Sequence, residues 1–245
     1  MPYFIVSILA IVLGQFSGHL CKKMPDWVSE KITFKEYLHT LKSGFRIDII
    51  YSVVYLILFN LLVYVNGYTY LTYVYILCIF SLLIVFTIDY KYELIPDECH
   101  ILIAVAGIIN LAFNLANWKS YLLGSLIGGG AFYLLGVLAL IIYKKEGMGF
   151  GDVKLMAALG FLFGVKKILV ITILSFAIAA VISIILIAFK VKKLDSYLPF
   201  GPFIVISTLL VMYFDVSVFI NLYYSLCMWL GTGITDIVFK IIGNN

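Results

Sequence analysis

Residues 68–89 have the sequence YTYLTYVYILCIFSLLIVFTID, an uncharged run that ends at Asp89. A helix rises about 1.5 Å per residue, so about 20 apolar residues cross the roughly 30 Å hydrocarbon core of a membrane. Similar runs occur along the whole chain, and they are continuous rather than alternating, which favours helices over a β-barrel. The sequence therefore predicts an all-α, polytopic transmembrane helix bundle with about eight helices.

The composition of the chain is that of a protein whose main solvent is lipid. Of its 245 residues, 64% are hydrophobic and 12% are charged, whereas a soluble domain is about half apolar and roughly a quarter charged. No polar stretch is long enough for a soluble domain, so residues 1–245 are expected to form a single membrane-embedded domain. The net charge of +4 comes from basic residues between the apolar runs. Their placement predicts contact with membrane lipid and argues against nucleic-acid binding.

The apolar runs predict where the chain crosses the membrane. The predicted spans are 3–21, 47–66, 68–88, 98–117, 121–143, 153–166, 168–189 and 202–230. The sixth span is short for a full crossing, and the last is expected to turn at the interface near Asp215. The C-terminal segment 232–245 mixes apolar and charged residues, which predicts an amphipathic segment at the membrane surface.

Basic residues predict the orientation of the bundle. Three inter-span segments, 22–46, 144–154 and 190–193, are rich in lysine, whereas the turn 66–68 carries no charge. The positive-inside rule therefore places the three basic segments in the cytoplasm and the N-terminus outside. In this orientation Lys166 and Lys167 would lie on the outer side of the membrane, which does not fit the positive-inside rule. Either they snorkel, or the sixth span does not cross fully.

Acids at the ends of apolar runs give the strongest functional signal. A carboxylate in mid-membrane costs about 2.5–3.5 kcal/mol, so an acid there usually serves a function. Asp89 and Asp97 bound the segment DYKYELIPD, and Asp152 lies in the segment GMGFGDVK at 147–154, directly before another apolar run. Both segments are predicted on one membrane face, where a helix ends or begins.

Residues beside these acids are suited to helix termini and close packing. Pro96 fits the first turn of a helix because proline has a fixed φ and no N–H. Gly147, Gly149 and Gly151 allow positive φ and close backbone approach.

Two acids from different helices that meet in a partly dry site cannot both stay ionised, so they share one proton. The ionised acid can then take a proton from water while the protonated acid polarises a carbonyl group. This is the arrangement of an aspartic protease. Such chemistry requires neither a metal nor a covalent nucleophile.

At these residues the chain resembles the type IV prepilin peptidases, membrane aspartic proteases with a Gly-x-Gly-Asp element. Three segments occur in the family's order: DYKYELIPD at 89–97, GMGFGDVKLMAALG at 147–160 and LPFGPF at 198–203. The N-terminal residues Gly14, Phe16, Lys23 and Pro25 also echo the family's first motif. The resemblance covers nearly the whole chain and is most specific at the second segment.

The resemblance implies an endopeptidase that removes the short, basic leader of type IV prepilins or pilin-like proteins, just before an apolar helix. It implies a bacterial plasma membrane location with a cytoplasmic catalytic face. Asp89 and Asp152 match the family's catalytic aspartates. The residues expected to shape the site or bind substrate are Asp97, Pro96, Gly149, Gly151, Lys154, Pro199, Gly201 and Pro202. The implied partners are a prepilin substrate and membrane lipid, and the peptidase step is expected to use no cofactor.

The predicted cytoplasmic loop 22–46 departs from the family pattern. Many members carry two Cys-x-x-Cys pairs there and also N-methylate the new N-terminus with S-adenosylmethionine. Here the loop is short and has no cysteine, and Gln15 and Gly18 replace the usual Ser and Asn. No metal is therefore expected, and methylation with S-adenosylmethionine is left open.

Three alternatives accompany this interpretation. A small proton-coupled transporter could use Asp89 and Asp152 as a proton relay, although transporters favour broken helices at the membrane midplane. A presenilin-like protease shares the Gly-x-Gly-Asp element, but that group has Pro-Ala-Leu where this chain has Pro-Phe-Gly-Pro. In a structural membrane subunit, the paired acids would be accidental.

Overall fold

The structure is a computed structural model that describes residues 2–30, 48–144, 149–190, 198–225 and 228. The helices are α1 Pro2–Glu30, α2 Ile49–Asn66, α3 Tyr70–Tyr92, α4 Asp97–Phe113, α5 Trp118–Tyr143, α6 Phe150–Ala188, α7 Gly201–Tyr213 and α8 Val216–Ser225, with a 3₁₀ turn at Leu115–Asn117. No strand occurs within these ranges. The predicted all-α fold is confirmed.

Several of these helices are long and apolar enough to cross a membrane. They are Tyr3–Lys22, Ile49–Asn66, Tyr70–Tyr92, Leu115–Ile142 and Phe150–Ala188. The chain is therefore a multi-pass membrane protein. α1 continues to Glu30, which extends it into the predicted loop 22–46. The rest of that loop and the predicted surface segment 232–245 lie outside the described residues.

α6 is a helical hairpin rather than one straight rod. Its 39 residues are interrupted at Gly164, which has φ 73° and ψ 178°. Met156 and Ile168 both lie against Gly128 of α5, although in a straight helix they would be about 18 Å apart. The chain therefore folds back at Gly164, and the two halves, α6a (150–163) and α6b (165–188), run side by side along α5. These halves correspond to the sixth and seventh predicted spans.

The turn of this hairpin explains why Lys166 and Lys167 do not fit the orientation predicted from the basic residues. α6a is about 20 Å long, which is less than the thickness of the hydrocarbon core, roughly 30 Å. Of the two alternatives, an incomplete crossing of the sixth predicted span therefore fits the structure. Lys167 follows the turn, and its Nζ donates to the Tyr75 hydroxyl at 2.8 Å. The same ammonium group lies 5.7 Å from the centre of the Phe163 ring, an attractive cation–π geometry.

Small residues bring α5 and α6 into close contact. A Cβ at Gly124 would collide with the Gly160 carbonyl oxygen, and a Cβ at Gly129 would lie 2.8 Å from the Ala157 Cβ. Such close backbone approach is the usual way in which helices associate in lipid. Gly130 is different, because a Cβ there would meet open space.

α3 forms the centre of the first of two compact units, Met1–Tyr213, and packs against α1, α2, α4 and α7. Its residues Ile79 and Leu82 are fully buried, and the Tyr55 hydroxyl of α2 donates to the Phe80 carbonyl at 3.0 Å. The second unit is Phe214–Asn245. The break between Tyr213 and Val216 agrees with the turn expected near Asp215. That residues 1–245 act as one peptidase domain stays a prediction.

The order of the helices brings four chain segments to one end of the bundle. α3 ends there at Tyr92, and α4, α6 and α7 begin there at Asp97, Phe150 and Gly201. The α6 turn and Tyr75, near the start of α3, lie at the opposite end. The end that holds the acids is called the acid end below.

Candidate active site

Asp89 lies in the last turn of α3 and is bound by the first residue of α7. Its side chain is buried, with 5% of the residue exposed. The Gly201 N–H donates to Asp89 Oδ2 at 2.9 Å. A Cβ at position 201 would lie only 2.5 Å from this oxygen, so a side chain there would displace the carboxylate. Asp89 therefore faces the N-terminus of α7, where the helix dipole favours a negative charge.

Asp152 lies in the first turn of α6 and shares the site with Asp89. It is also 5% exposed, and its N–H donates to the Gly149 carbonyl at 3.1 Å. Its carboxyl group interacts electrostatically with Asp89. Its Oδ1 is buried and has no hydrogen-bond partner in the described part of the chain. The structure thus brings together two acids that are far apart in sequence, and it leaves a carboxyl oxygen available to another molecule.

The two described glycines of the Gly-x-Gly-Asp turn matter because they have no side chain, and not because of unusual backbone angles. Gly149 precedes α6 with φ −67° and ψ 139°, and neither it nor Gly151 has a positive φ. Of the two properties of glycine considered for these positions, positive φ is therefore not used at either. A Cβ at Gly151 would lie 3.2 Å from the Ile95 Cβ, so Gly151 serves close approach to the loop before α4. Gly147 lies outside the described residues.

Asp97 is placed beside the acids but is not equivalent to them. Its side chain is 68% exposed, and its Oδ1 accepts a hydrogen bond from Lys154 Nζ at 2.8 Å. The Lys154 ammonium group holds the pKa of the Asp97 carboxyl below its usual range. Asp97 therefore forms an ion pair between the first turns of α4 and α6, at the edge of the site.

The three prolines predicted to shape the site flank the starts of two helices. Pro96 is buried and immediately precedes α4, with extended backbone angles of φ −65° and ψ 137°. Pro202 is the second residue of α7, where the absent N–H costs no helical hydrogen bond. Pro199 is buried just before α7. These prolines help to begin helices at the acid end, and the prediction that they bind substrate remains a prediction.

Two features of the site were not evident from sequence. His100 is not among the residues predicted to shape the site, yet its Nδ1 lies 3.3 Å from Asp97 Oδ1. The spacing of three residues in the first turn of a predicted helix is the signal that could have indicated this pair. Ile95 belongs to the segment DYKYELIPD, but no sequence signal links it to Gly151.

Comparisons with known proteins show which sequences the chain is similar to. Residues 76–184 match the model of the type IV leader peptidase family. The chain is 35% identical over 121 residues to the prepilin leader peptidase/N-methyltransferase of Xanthomonas campestris pv. campestris, which covers 49% of this chain and 42% of that protein. It is 32% identical over 143 residues to the protein of the same name from Pseudomonas aeruginosa, covering 58% of this chain and 49% of the relative.

A third relative, from Legionella pneumophila, has the same name and is 32% identical over 151 residues, covering 60% of this chain and 52% of that protein. The matches thus span about half the length of the curated relatives. No solved structure matches the chain significantly. The matched region includes Asp89, Asp97 and Asp152. Residues 76–184 of this chain are therefore similar to the type IV leader peptidase family.

Proposed function

We propose that this chain is a membrane-embedded aspartic endopeptidase that removes the leader peptide of type IV prepilins or pilin-like proteins. The observation that carries the proposal is the convergence of Asp89 and Asp152, which are both buried and interact electrostatically although they come from different helices. Two carboxyl groups in one dry site can hold a single proton between them. That arrangement provides a general base and a general acid at the same time.

The hydrogen bonds suggest a different role for each acid. Asp89 accepts the Gly201 N–H at the start of a helix, and both the hydrogen bond and the helix dipole favour a carboxylate. Asp152 has a buried oxygen with no partner among the described residues, and burial without a partner favours the neutral acid. We therefore assign Asp89 as the base and Asp152 as the acid.

The reaction then needs only proton transfers between these acids, water and the peptide. Asp89 takes a proton from a water molecule, which attacks the scissile carbonyl carbon while Asp152 gives its proton to the carbonyl oxygen. The resulting gem-diol collapses, and the C–N bond breaks as Asp89 returns a proton to the leaving nitrogen. One hydroxyl proton of the gem-diol returns to Asp152. The two acids therefore end in their starting states, as catalysis requires.

The names of the relatives and the location of the acids support the substrate class that we propose. The relatives are named for cleavage of prepilin leaders, and we extend this activity to a prepilin-like substrate with a basic leader and an apolar helix. The acids lie at one end of the bundle, where a peptide bond next to a membrane-spanning helix would be presented. The charge pattern supports a cytoplasmic location for this end in a bacterial plasma membrane, with the N-terminus outside.

The geometry does not favour the transporter alternative. A transporter would place its binding acids near the bilayer midplane, whereas Asp89 and Asp152 lie at helix termini at the acid end. The names of the relatives also include N-methyltransferase. We propose only peptidase chemistry for this chain, because carboxyl groups account for proton transfer and not for methyl transfer.

The test is to incubate the purified protein with a synthetic peptide that joins a basic leader to an apolar helix, and to determine the product masses. We expect cleavage by the wild-type protein and a loss of about 10²–10⁴-fold or more in Asp89→Asn and in Asp152→Asn. Parallel reactions with S-adenosylmethionine show whether the new N-terminus gains a methyl group. Cleavage at the wild-type rate by the double variant would refute the proposal.

A further inference from the structure

The first turn of α4 binds the first turn of α6 through a single carboxylate oxygen. Asp97 Oδ1 accepts a hydrogen bond from Lys154 Nζ at 2.8 Å and lies 3.3 Å from His100 Nδ1. The Lys154 ammonium group also lies 5.4 Å from the centre of the Phe150 ring. These contacts connect α4 to the turn that carries Asp152.

His100 lies on the buried side of the same ion pair. Its side chain is 9% exposed, whereas the Asp97 side chain is 68% exposed. Its Nδ1 faces Asp97, whereas its buried Nε2 has no hydrogen-bond partner in the described part of the chain. Gly151 packs tightly against Ile95. The first turn of α6 is therefore held by Asp97 at Lys154 and by Ile95 at Gly151, and His100 contacts Asp97 from the buried side.

Asp152 lies between the two residues that α4 holds, Gly151 and Lys154. Its position is therefore fixed by backbone contacts on one side and by an ion pair on the other. A buried apolar side chain at position 100 could fill the same space but could not bond to Asp97. A buried imidazole costs free energy unless its polar atoms have partners, so its hydrogen bond to Asp97 is the feature that an apolar residue would lack.

We propose that His100 is a positioning residue for Asp152, acting through Asp97 and the Gly151–Lys154 turn. The inference rests on the proposed peptidase function, since its effect on rate requires Asp152 to be the catalytic acid. His100 does not touch the reacting atoms. It sets the direction of the Asp152 carboxyl group by holding the turn from which that group projects.

The test compares His100→Leu with His100→Asn. Leucine fills the space and cannot donate a hydrogen bond, whereas the asparagine amide nitrogen can replace Nδ1 as the donor to Asp97. A displacement of about 1 Å can cost about 10²-fold in rate, so we expect kcat for His100→Leu to fall about 10- to 100-fold with KM unchanged. We expect His100→Asn to restore most of kcat.

A second ion pair between two helix segments at the acid end provides the control. Lys22 of α1 donates to Asp48 Oδ1 at 2.5 Å, next to the start of α2. Lys22→Met removes this pair, and we expect it to leave kcat within about twofold of the wild-type value, because neither residue contacts the turn with Asp152. Wild-type kcat in His100→Leu would overturn the inference, as would an equal loss of kcat and thermal stability in both His100 variants.

Hydrogen exchange separates failure of this inference from failure of the proposed function. We expect His100→Leu to increase amide exchange in residues 150–155, and His100→Asn and Lys22→Met to leave it unchanged. Faster exchange in a protein whose wild-type form does not cleave the peptide would refute the proposed function and support the positioning role. Cleavage by the wild-type protein with no change in exchange or kcat in His100→Leu would refute the positioning role alone.

Discussion

At the scale of single residues, the contact between Gly201 and Asp89 explains why a glycine lies at the start of α7. The Gly201 N–H donates to the carboxylate at 2.9 Å, and the space that a Cβ would need is occupied by the same carboxylate. The absence of a side chain is therefore needed for the hydrogen bond. Backbone donors that are fixed before the reaction contribute to catalysis because they need no reorganisation.

This contact predicts that Gly201→Ala strongly reduces cleavage. The new Cβ would lie 2.5 Å from Asp89 Oδ2, so the carboxylate has to move, and we expect kcat to fall by about 10²-fold. Gly130→Ala is the matched control, since a Cβ there meets open space and kcat is expected to stay at its wild-type value. Cleavage rates of the leader–helix peptide measure both effects. Full activity of Gly201→Ala would contradict the close contact.

The Asp97–Lys154 pair predicts a pH dependence of stability. The folded-state pKa of Asp97 is lowered by Lys154, so the pair stabilises the protein above the unfolded pKa of about 3.9 and is lost as pH falls through the folded value. We expect Lys154→Met to lower the midpoint of thermal unfolding slightly and equally between about pH 5 and 8. The difference should shrink below about pH 4.

The control for this titration is Lys154→Met in an Asp97→Asn background, where no carboxylate is present at position 97. There the effect of Lys154→Met should not vary with pH. Thermal unfolding in detergent, followed by circular dichroism, gives the midpoints. A difference that grows as the pH falls would show that Asp97 is not the group involved.

At the scale of secondary-structure elements, the fold of α6 determines how the acid end is built. Because the chain reverses at Gly164, α6a begins at the acid end and α6b returns to it. The turn is stabilised by side chains of other helices. Asn110 Nδ2 donates to the Leu162 carbonyl at 3.0 Å, and the Val165 N–H donates to Ser120 Oγ at 3.3 Å. These bonds satisfy backbone groups that the break in the helix leaves without helical partners.

The turn predicts that Gly164→Ala is destabilising for two reasons. The backbone at φ 73° and ψ 178° is nearly restricted to glycine, and strain of this kind costs about 1–3 kcal/mol. A Cβ would also lie 2.8 Å from Ser120 Oγ. Thermal unfolding in detergent should show a clear decrease in the midpoint for Gly164→Ala.

Two other glycines separate these two causes. Gly67 also has a positive φ of 66°, but a Cβ there meets nothing within 4 Å, so Gly67→Ala reports strain alone. Gly130→Ala reports neither strain nor collision. We expect Gly164→Ala to be the most destabilising of the three and Gly130→Ala the least. Equal stability of all three would mean that α6 does not reverse at Gly164.

At the scale of the whole molecule, described lysines occur at both ends of the bundle. Lys22, Lys91, Lys144, Lys154 and Lys190 lie at the acid end, and Lys119, Lys166 and Lys167 lie at the other. The excess at the acid end supports a cytoplasmic location for the acids. Lys167 at the opposite end contacts Tyr75 and Phe163.

This distribution predicts the labelling of single cysteines in intact cells. In a variant without the native cysteines, we expect a membrane-impermeant maleimide to label Lys119→Cys in intact cells. Lys144→Cys should react only after the membrane is permeabilised. The reverse pattern would place the acids outside the cytoplasm and would exclude cleavage of cytoplasmic leaders.

The sequence alone predicted the helices, most span boundaries to within a few residues, and the acids at the ends of the apolar runs. Membrane insertion depends on the local hydrophobicity of successive residues, which can be calculated without knowing which helices are neighbours. The pairing of Gly201 with Asp89, the packing of both halves of α6 against α5 and the place of His100 were decided only by tertiary structure. These contacts join remote segments, and they depend on which helix backbones approach closely enough to exclude a side chain, a property that no local stretch of sequence contains.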